Sequence, residues 1–408
     1  LALKADTGER IWHFQAVRHD IWDRDFPSPP SLVSVLHDGK KVDAVAQTTK
    51  QGWVYLFDRV TGAPLFPIEY RHYPPSSVPG EVAAAEQPLP SKPAPFARQF
   101  LTADLLTNRT PEAHAWALEK FQTFQSAGQF VPFRAGQETI VFPGYDGGAE
   151  WGGSAFDPET GLLYVNANDV AWTGNLVENT GGPTAKHTYQ INCANCHGDD
   201  MKGAPPQIPA LSGIKKSAQE IGTIIRRGAG RMPSFPNLNS AEVTAVAQYI
   251  LSGENKELES IGPSNPKFRF TGYHKFLDPE GYPAVAPPWG TLNAINLNTG
   301  EYAWKVPLGE YPALGKATGT ENYGGPIVTA GGLVFIGATN FDKKFRAFDK
   351  ATGAILWETT LPLSGNATPI TYELNGRQYV VIYATGGKSG RESGGIYVAF
   401  ALPRNKVK

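Results

Sequence analysis

The sequence predicts an all-β repeat fold into which a small all-α module has been inserted. Three observations predict it: a strand, turn, strand unit that recurs four times, one stretch with helical periodicity and its own capping signals, and a Cys-x-x-Cys-His motif inside that stretch.

The recurring unit is “DTGERIW”, “VTGAPLF”, “NTGEYAW” and “ATGAILW”. In each, a large aromatic follows the Thr by five positions: Thr7 to Trp12, Thr61 to Phe66, Thr299 to Trp304 and Thr352 to Trp357. An alternating strand precedes the turn in “WVYLFD”, “GTLNAINL” and “KKFRAFD”. A single Thr-Gly is an ordinary hairpin turn, but four copies with one offset describe a repeated meander with one aromatic per unit, the pattern of β-propeller blades. The third and fourth copies are about 53 residues apart and the second and third far more, so something is inserted between them.

Within 184–255 the texture changes. “SAQEIGTIIRRG” opens with the capping pair Ser217 and Glu220, and “NSAEVTAVAQYILSG” opens with Asn239 and Glu242 and closes at Gly253. Ile221, Ile224 and Ile225 fall at helical spacing, as do Val243, Val246, Ala247 and Ile250, which predicts two short amphipathic helices. Breaker-rich flanks at 180–184 and 262–267 predict linkers and divide the chain into 1–183, 184–255 and 256–408. A second irregular stretch, 72–135, is proline-rich and then helical at “TPEAHAWALEKFQ”, and is expected to be an excursion between blades over one face.

A length of 408 residues suggests two or three domains, and 41% hydrophobic with 18% charged residues predicts a folded globular chain. The net charge of −1 provides no basic field for nucleic acid. No apolar run approaches the ~18 residues of a membrane span, and “LALKADTGER” is not a signal peptide. Because the chain starts inside a repeat unit, an upstream segment is expected, with any export signal or membrane anchor, and membrane association would come through it. Cys193 and Cys196 are the only cysteines, so no other disulfide can form.

Cys193-x-x-Cys196-His197 is the pattern for covalent c-type haem: two thiols add to the porphyrin vinyl groups and the adjacent His reaches the iron. Zinc would want further Cys or His ligands, and the module offers only His187; a thioredoxin-like pair would want a βαβ context. The sixth ligand must come from the other haem face. Met201 follows His197 too closely, whereas Met232, in “GAGRMPSFPNL” between the two helices, has the reach; a thioether there raises the haem potential. “GDDMKGAPPQIPALSG” after the attachment site resembles the small class I cytochrome c domain, which implies the same roles for Cys193, Cys196, His197 and Met232.

Outside 184–255, “HDIWDRDFPSPPSL”, “TTKQGWVYLFDRVTG”, “EWGGSAFDPETGLLYVNAND”, “PPWGTLNAINLNTGEYAWKVPLGE”, “YGGPIVTAGGLVFIGAT” and “ATPITYELNGRQYVVIYATGG” resemble the pyrroloquinoline-quinone (PQQ) dehydrogenases, especially the membrane-bound glucose and polyol branch. The resemblance implies an eight-bladed propeller of W-motif repeats with PQQ and Ca2+ on its axis, of which this chain would supply about the C-terminal half. It implies that Asp23 is the catalytic base, that Lys50 is the cation touching the quinone, and that Asn166 lies near the quinone carbonyls; the calcium ligands would mostly precede residue 1. These types suit the chemistry: a carboxylate removes the hydroxyl proton while a cation polarises the carbonyl that receives the hydride. Taken alone, “WDRD” reads as a solvated acidic turn with Asp25 partnering Arg24, and Lys50 as a surface lysine. Trp151 is either a cofactor-face or a core residue, and His19 either touches substrate or shapes a turn.

Two functions follow as expectations. One is a bacterial periplasmic quinohaemoprotein dehydrogenase that oxidises an alcohol, aldose or polyol at PQQ and passes electrons to haem c and then to a quinone or soluble cytochrome, with the cytochrome tethered in a loop between blades as a built-in acceptor. The other is a non-catalytic haem c electron carrier on a propeller scaffold.

Overall fold

A computed structural model describes residues 1–203, 208–230, 232–259, 266–315, 318–388 and 392–403. From the N-terminus run β1 (Ala2–Leu3), β2 (Arg10–Trp12), β3 (Ser31–His37), β4 (Lys40–Thr48), β5 (Val54–Asp58), β6 (Ile68–His72), β7 (Glu86–Pro90), α1 (Pro111–Phe121), β8 (Thr139–Val141), β9 (Ser154–Asp157) and β10 (Leu162–Asn168). Next come β11 (Trp172–Gly174), β12 (Leu176–Glu178), α2 (Ala185–Asn192), α3 (Ala194–His197), α4 (Ala218–Arg227), α5 (Ser240–Ser252), β13 (Phe268–Phe270) and β14 (His274–Lys275). The chain then continues through β15 (Gly290–Asn296), β16 (Glu301–Pro307), β17 (Ile327–Val328), β18 (Leu333–Ile336), β19 (Lys344–Asp349), β20 (Ile355–Thr360), β21 (Ile370–Leu374), β22 (Arg377–Gly386) and β23 (Ser393–Phe400). Two compact units result, one from residues 1–132, 140–173 and 275–408, the other from 133–139 and 174–274.

The first unit is a succession of antiparallel sheets: β3-β4-β5, then β9-β10-β15-β16, then β17-β18-β19-β20, then β21-β22-β23, with β1-β2 ahead of them. Consecutive sheets pack face to face. Val33, Val35, Ala44 and Leu56 meet Leu163, Val165 and Ile295; on the other face of that sheet Leu162, Tyr164, Leu292 and Ala294 meet Val334, Ile336 and Phe348; Phe345 and Leu361 then meet Val380, Ile382 and Ala384. β10 is buried along its whole length because it has a sheet on either side, so “LLYVNAN” lacks the alternation of a strand with one wet face.

The repeat works through a local turn and a contact to the next sheet. Asp58 Oδ1 accepts from the Val60 and Thr61 amides and the Thr61 hydroxyl, at 2.9, 2.8 and 3.0 Å. Asp349 Oδ1 does the same for Ala351 and Thr352, at 3.0, 2.8 and 3.0 Å. The glycine that ends each turn has positive φ, and in the second, third and fourth copies it receives the aromatic of the preceding copy. A methyl group at Gly62 would lie 2.6 Å from the Trp12 ring, one at Gly300 3.1 Å from Phe66, and one at Gly353 2.8 Å from Trp304. Trp12 Nε1 donates to Arg59 O and Trp304 Nε1 to Lys350 O, the same position of the turn in both cases. The Thr-Gly and the aromatic of one repeat therefore belong to two different contacts, each linking neighbouring sheets.

Register corrects one expectation. β10 pairs with β15 from Leu162↔Asn296 to Asn168↔Gly290, so the long insertion lies between the second and third strands of one sheet, not in a loop between blades. Arg98 ties its two flanks in the first unit: the guanidinium donates to Asp169 O, Ala286 O and Pro288 O at 3.0, 2.9 and 3.2 Å, and the Arg98 amide to Asp169 Oδ1 at 2.7 Å. The excursion after the first full sheet contains the β6-β7 hairpin, in which Pro88 and Pro90 are tolerated because the ladder has only two strands, and α1, capped by the Thr110 hydroxyl with Pro111 in its first turn.

In the second unit the β12-β13 ladder brackets α2 to α5. Both predicted capping boxes form: Ser217 with Glu220 opens α4 and Asn239 with Glu242 opens α5. The core joins Tyr189, Cys193, Ile221, Ile225, Val243, Val246 and Ile250. Most of the linker expected at 262–267, and residues 204–207 after the haem motif, lie outside the described residues. Among the described residues no helix is long and apolar enough to cross a membrane.

Candidate functional site

In “IWDRD” the side chains alternate. Trp22 is buried and donates through Nε1 to Val131 O at 2.8 Å; Arg24 is buried and donates to Pro143 O and Gly144 O at 2.6 and 3.0 Å. Burial lowers the Arg24 pKa to about 10. The Asp20 carboxylate accepts from the Trp22 and Arg24 amides. These anchors leave Asp23 and Asp25 facing outward, with Asp23 held at a φ of +60°, a conformation uncommon for a residue with a side chain.

Both carboxylates converge on one cation. Lys50 Nζ donates to Asp23 Oδ2 at 2.9 Å and to Asp25 Oδ1 at 2.7 Å. The Lys50 side chain is only 13% exposed, so it is not a surface lysine, and Asp25 pairs with it rather than with Arg24. Burial favours the neutral amine, but the hydrogen bonds that Lys50 donates to Asp25 and Asp23 outweigh it and raise the Lys50 pKa. The 144–150 loop closes over this lysine: Gly148 N donates to Lys50 O, and a methyl group at Gly147 would lie 2.1 Å from Lys50 Cγ, so the approach requires glycine.

That loop carries further charge. Tyr323 Oη donates to Asp146 Oδ2 at 2.8 Å, and Lys275 Nζ reaches Glu321 Oε1 at 2.6 Å and Asp146 at 3.9 Å. Desolvation, then the neighbouring Asp146, raises Glu150 well above the usual carboxylate range. Desolvation raises Asp146 too, reinforced by Glu321 and opposed by Lys275. Lys388 Nζ sits 4.6 Å above the Tyr323 ring.

Asn166 is buried and does not bond to Lys50. Its Nδ2 donates to Asn322 Oδ1 and Gly324 O, at 2.6 and 3.2 Å. Asn168 exchanges bonds with the Asn322 backbone and donates to Glu150 Oε1 at 3.4 Å, so an amide ladder connects Asn166 with the acidic loop. Trp151 is 45% exposed and is not a core residue; His19 is exposed at a φ of +43°, in a turn.

In the helical unit, Cys193, Cys196 and His197 occupy a single turn: the amides of Cys196 and His197 donate to Cys193 O. Positions i, i+3 and i+4 share a face, which gathers both thiols and the imidazole. Cys193 is buried, which pushes its thiol up to about 12, while Cys196 is exposed. His197 Nδ1 lies 3.0 Å from Pro209 O. A carbonyl only accepts, so Nδ1 carries the proton and Nε2 keeps its lone pair; burial lowers the imidazole pKa in the same sense. Met232 packs against the Cys193 core, and its turn is fixed by paired backbone bonds with Ala229. Met201 packs against the same core. Among the described residues no three His, Cys, Asp or Glu side chains are gathered as a metal-binding group.

Sequence reading singled out Asp23 and Lys50, which the fold brings together, and Asn166, which joins them only through other residues. It missed Asp146, Glu150, Lys275, Glu321, Tyr323, Asn322 and Lys388. The available signal was a charged or aromatic residue set in glycine-rich loops, as in “YDGGAEWGG”, “TENYGG” and “GGKSG”.

Stacked antiparallel sheets of three or four strands, locked by Thr-Gly turns and aromatics and split by a helical unit with a preformed Cys-x-x-Cys-His turn, define a propeller-type protein with an inserted cytochrome c domain. The chain belongs to the PQQ family described as glucose/ethanol/alcohol dehydrogenase, beta-propeller domain, which matches residues 1–218 and 227–380; a cytochrome c family match covers 184–254. It is similar to quinoprotein glucose dehydrogenase A of Acinetobacter calcoaceticus, 31% identical over 100% of this chain and 44% of that protein. It is also similar to the glycerol dehydrogenase large subunit of Gluconobacter oxydans, 30% identical over 95% of this chain and 46% of that one. Quinohemoprotein alcohol dehydrogenase ADH IIB of Pseudomonas putida is 24% identical over 97% of this chain and 38% of its own length. The chain thus spans about half the length, or less, of these relatives.

Proposed function

We propose that the protein is a quinohaemoprotein dehydrogenase of the bacterial periplasm, oxidising the CH–OH group of an alcohol, aldose or polyol with PQQ and delivering electrons through haem c to a quinone or cytochrome. The observation that carries this reading is the 2.9 Å contact between Lys50 and Asp23, which puts a proton acceptor and a buried cation side by side. Asp23 is the base that takes the substrate hydroxyl proton. Bound PQQ supplies the carbonyl that accepts the hydride. Lys50 holds positive charge where negative charge develops, fixed by Asp25 so that it need not reorganise. Asn166 offers a buried amide whose orientation is set by Asn322.

Cys193 and Cys196 would hold haem c through thioethers, with His197 Nε2 and Met232 on the iron; the free Nε2 and the neutral buried thiol fit that use. Haem supplies one-electron chemistry. Calcium, whose ligands the resemblance places mostly ahead of residue 1, finds no group of three His, Cys, Asp or Glu side chains among the described residues.

The test is to add glucose, polyols and simple alcohols to the protein loaded with PQQ and calcium and to follow the reduced haem α-band. Reduction by at least one class is expected. No reduction by any of them overturns this reading in favour of a non-catalytic haem carrier.

A further inference from the structure

Three lysines project into the charged loop region of the sheet unit, and they are not equivalent. Lys50 has Asp25 and Asp23 at 2.7 and 2.9 Å. Lys275 has Glu321 at 2.6 Å. Lys388 is half-buried, lies 4.6 Å above the Tyr323 ring, and has no carboxylate within ion-pair distance among the described residues. No side chain outside the described residues is acidic. The acids that face it at longer range are Asp146 and Glu150. Asp146 is already engaged by the Tyr323 hydroxyl and Lys275, and Glu150 by the Asn168 amide.

Lys388 belongs to the same site as Asn166. Asn366 Nδ2 donates to Gly386 O at 3.1 Å, Gly324 packs on the Asn366 backbone, and Gly324 O accepts from Asn166 at 3.2 Å. A half-buried ammonium stacked on an aromatic ring, with no carboxylate at ion-pair distance among the described residues, is an arrangement suited to binding an anion.

We propose that Lys388 binds a carboxylate of the small molecule that occupies this site. The proposal rests on the dehydrogenase reading above, in which that molecule is either the cofactor, which bears carboxylates, or a hydroxy-acid substrate.

The test compares Lys388→Gln and Lys388→Arg with the parent protein, after checking that haem content and melting temperature are unchanged. Equilibrium binding of PQQ to protein stripped of it is one readout. The other is the ratio of the constants for gluconate (KM, or Ki if it only inhibits) and for the neutral polyol sorbitol. If the carboxylate is the cofactor's, Lys388→Gln weakens PQQ binding about ten- to a hundredfold and Lys388→Arg restores most of it. If it is the substrate's, PQQ binding holds while the gluconate constant alone rises by about the same factor. Unchanged PQQ binding with an unchanged gluconate-to-sorbitol ratio overturns the proposal and leaves the dehydrogenase reading standing; failure of the parent protein to bind PQQ or reduce its haem would overturn that reading instead.

Discussion

The helical unit takes its candidate ligands from one turn of helix and one loop, whereas the sheet unit assembles its charged site from loops spread between Asp23 and Lys388. The first is a local device: the Cys193–His197 turn needs only α2, α3 and the Pro209 carbonyl to present its groups. The second exists only when four sheets are stacked, because Lys50, Asp146, Asn166, Tyr323 and Lys388 come from different strands and loops. Damage to the two should therefore look different.

The sharpest contrast comes from Cys193→Ala with Cys196→Ala. Covalent haem should vanish from the denatured protein, read as a pyridine haemochrome, while the sheet unit keeps its own unfolding transition; loss of both together would break the comparison. Asp23→Asn should leave haem content intact and slow substrate-driven haem reduction by about 10²- to 10⁴-fold. Trp304→Ala removes a buried ring from the Gly353 turn of the next sheet and should cost about 3–5 kcal/mol in urea unfolding of the sheet unit, with the helical transition unmoved. The smallest effect concerns Glu150. Its folded pKa is raised, so between the ordinary carboxylate value and the raised one the folded state holds a proton that the unfolded state has released, and stability falls as pH rises through that window. Glu150→Gln should flatten this decline in denaturant titrations run at several pH values; an unchanged slope would show that Asp146 carries it.

The same contrast explains what was legible in the sequence. The Thr-Gly repeat could be read because its turn is made by residues three apart, Asp58 to Thr61 and Asp349 to Thr352, and the capping boxes because Ser217 and Asn239 meet their glutamates one turn on. The Cys-x-x-Cys-His turn is local for the same reason. Asp23 and Lys50 were found by resemblance, since nothing in “WDRD” says that the intervening Trp22 and Arg24 turn inward. Glu150, Asn322 and Lys388 show in the sequence only as polar residues in glycine-rich loops; which partners they meet, Asn168 for Asn322 and Tyr323 for Lys388, depends on how distant sheets stack. The position of the insertion was misread for a related reason, because strand partners are not written in a strand's own pattern, and only the β10-β15 register shows that one sheet is split.

That split bears on how the protein reaches its folded state. Pairing β10 with β15 closes a loop of about 120 residues, about five doublings beyond a tight hairpin, which for a flexible chain adds on the order of 3 kcal/mol of closure entropy. The insert shortens this loop by folding. Once Leu176–Glu178 has zipped to Phe268–Phe270, the gap left to span falls to the short arms on either side, and Arg98 can gather Asp169, Ala286 and Pro288. The order of events then matters: an insert that matures first hands the sheet a nearly closed ring, so a defect in haem attachment would surface as slower pairing of β10 with β15, with the final stability of the sheet unit unchanged.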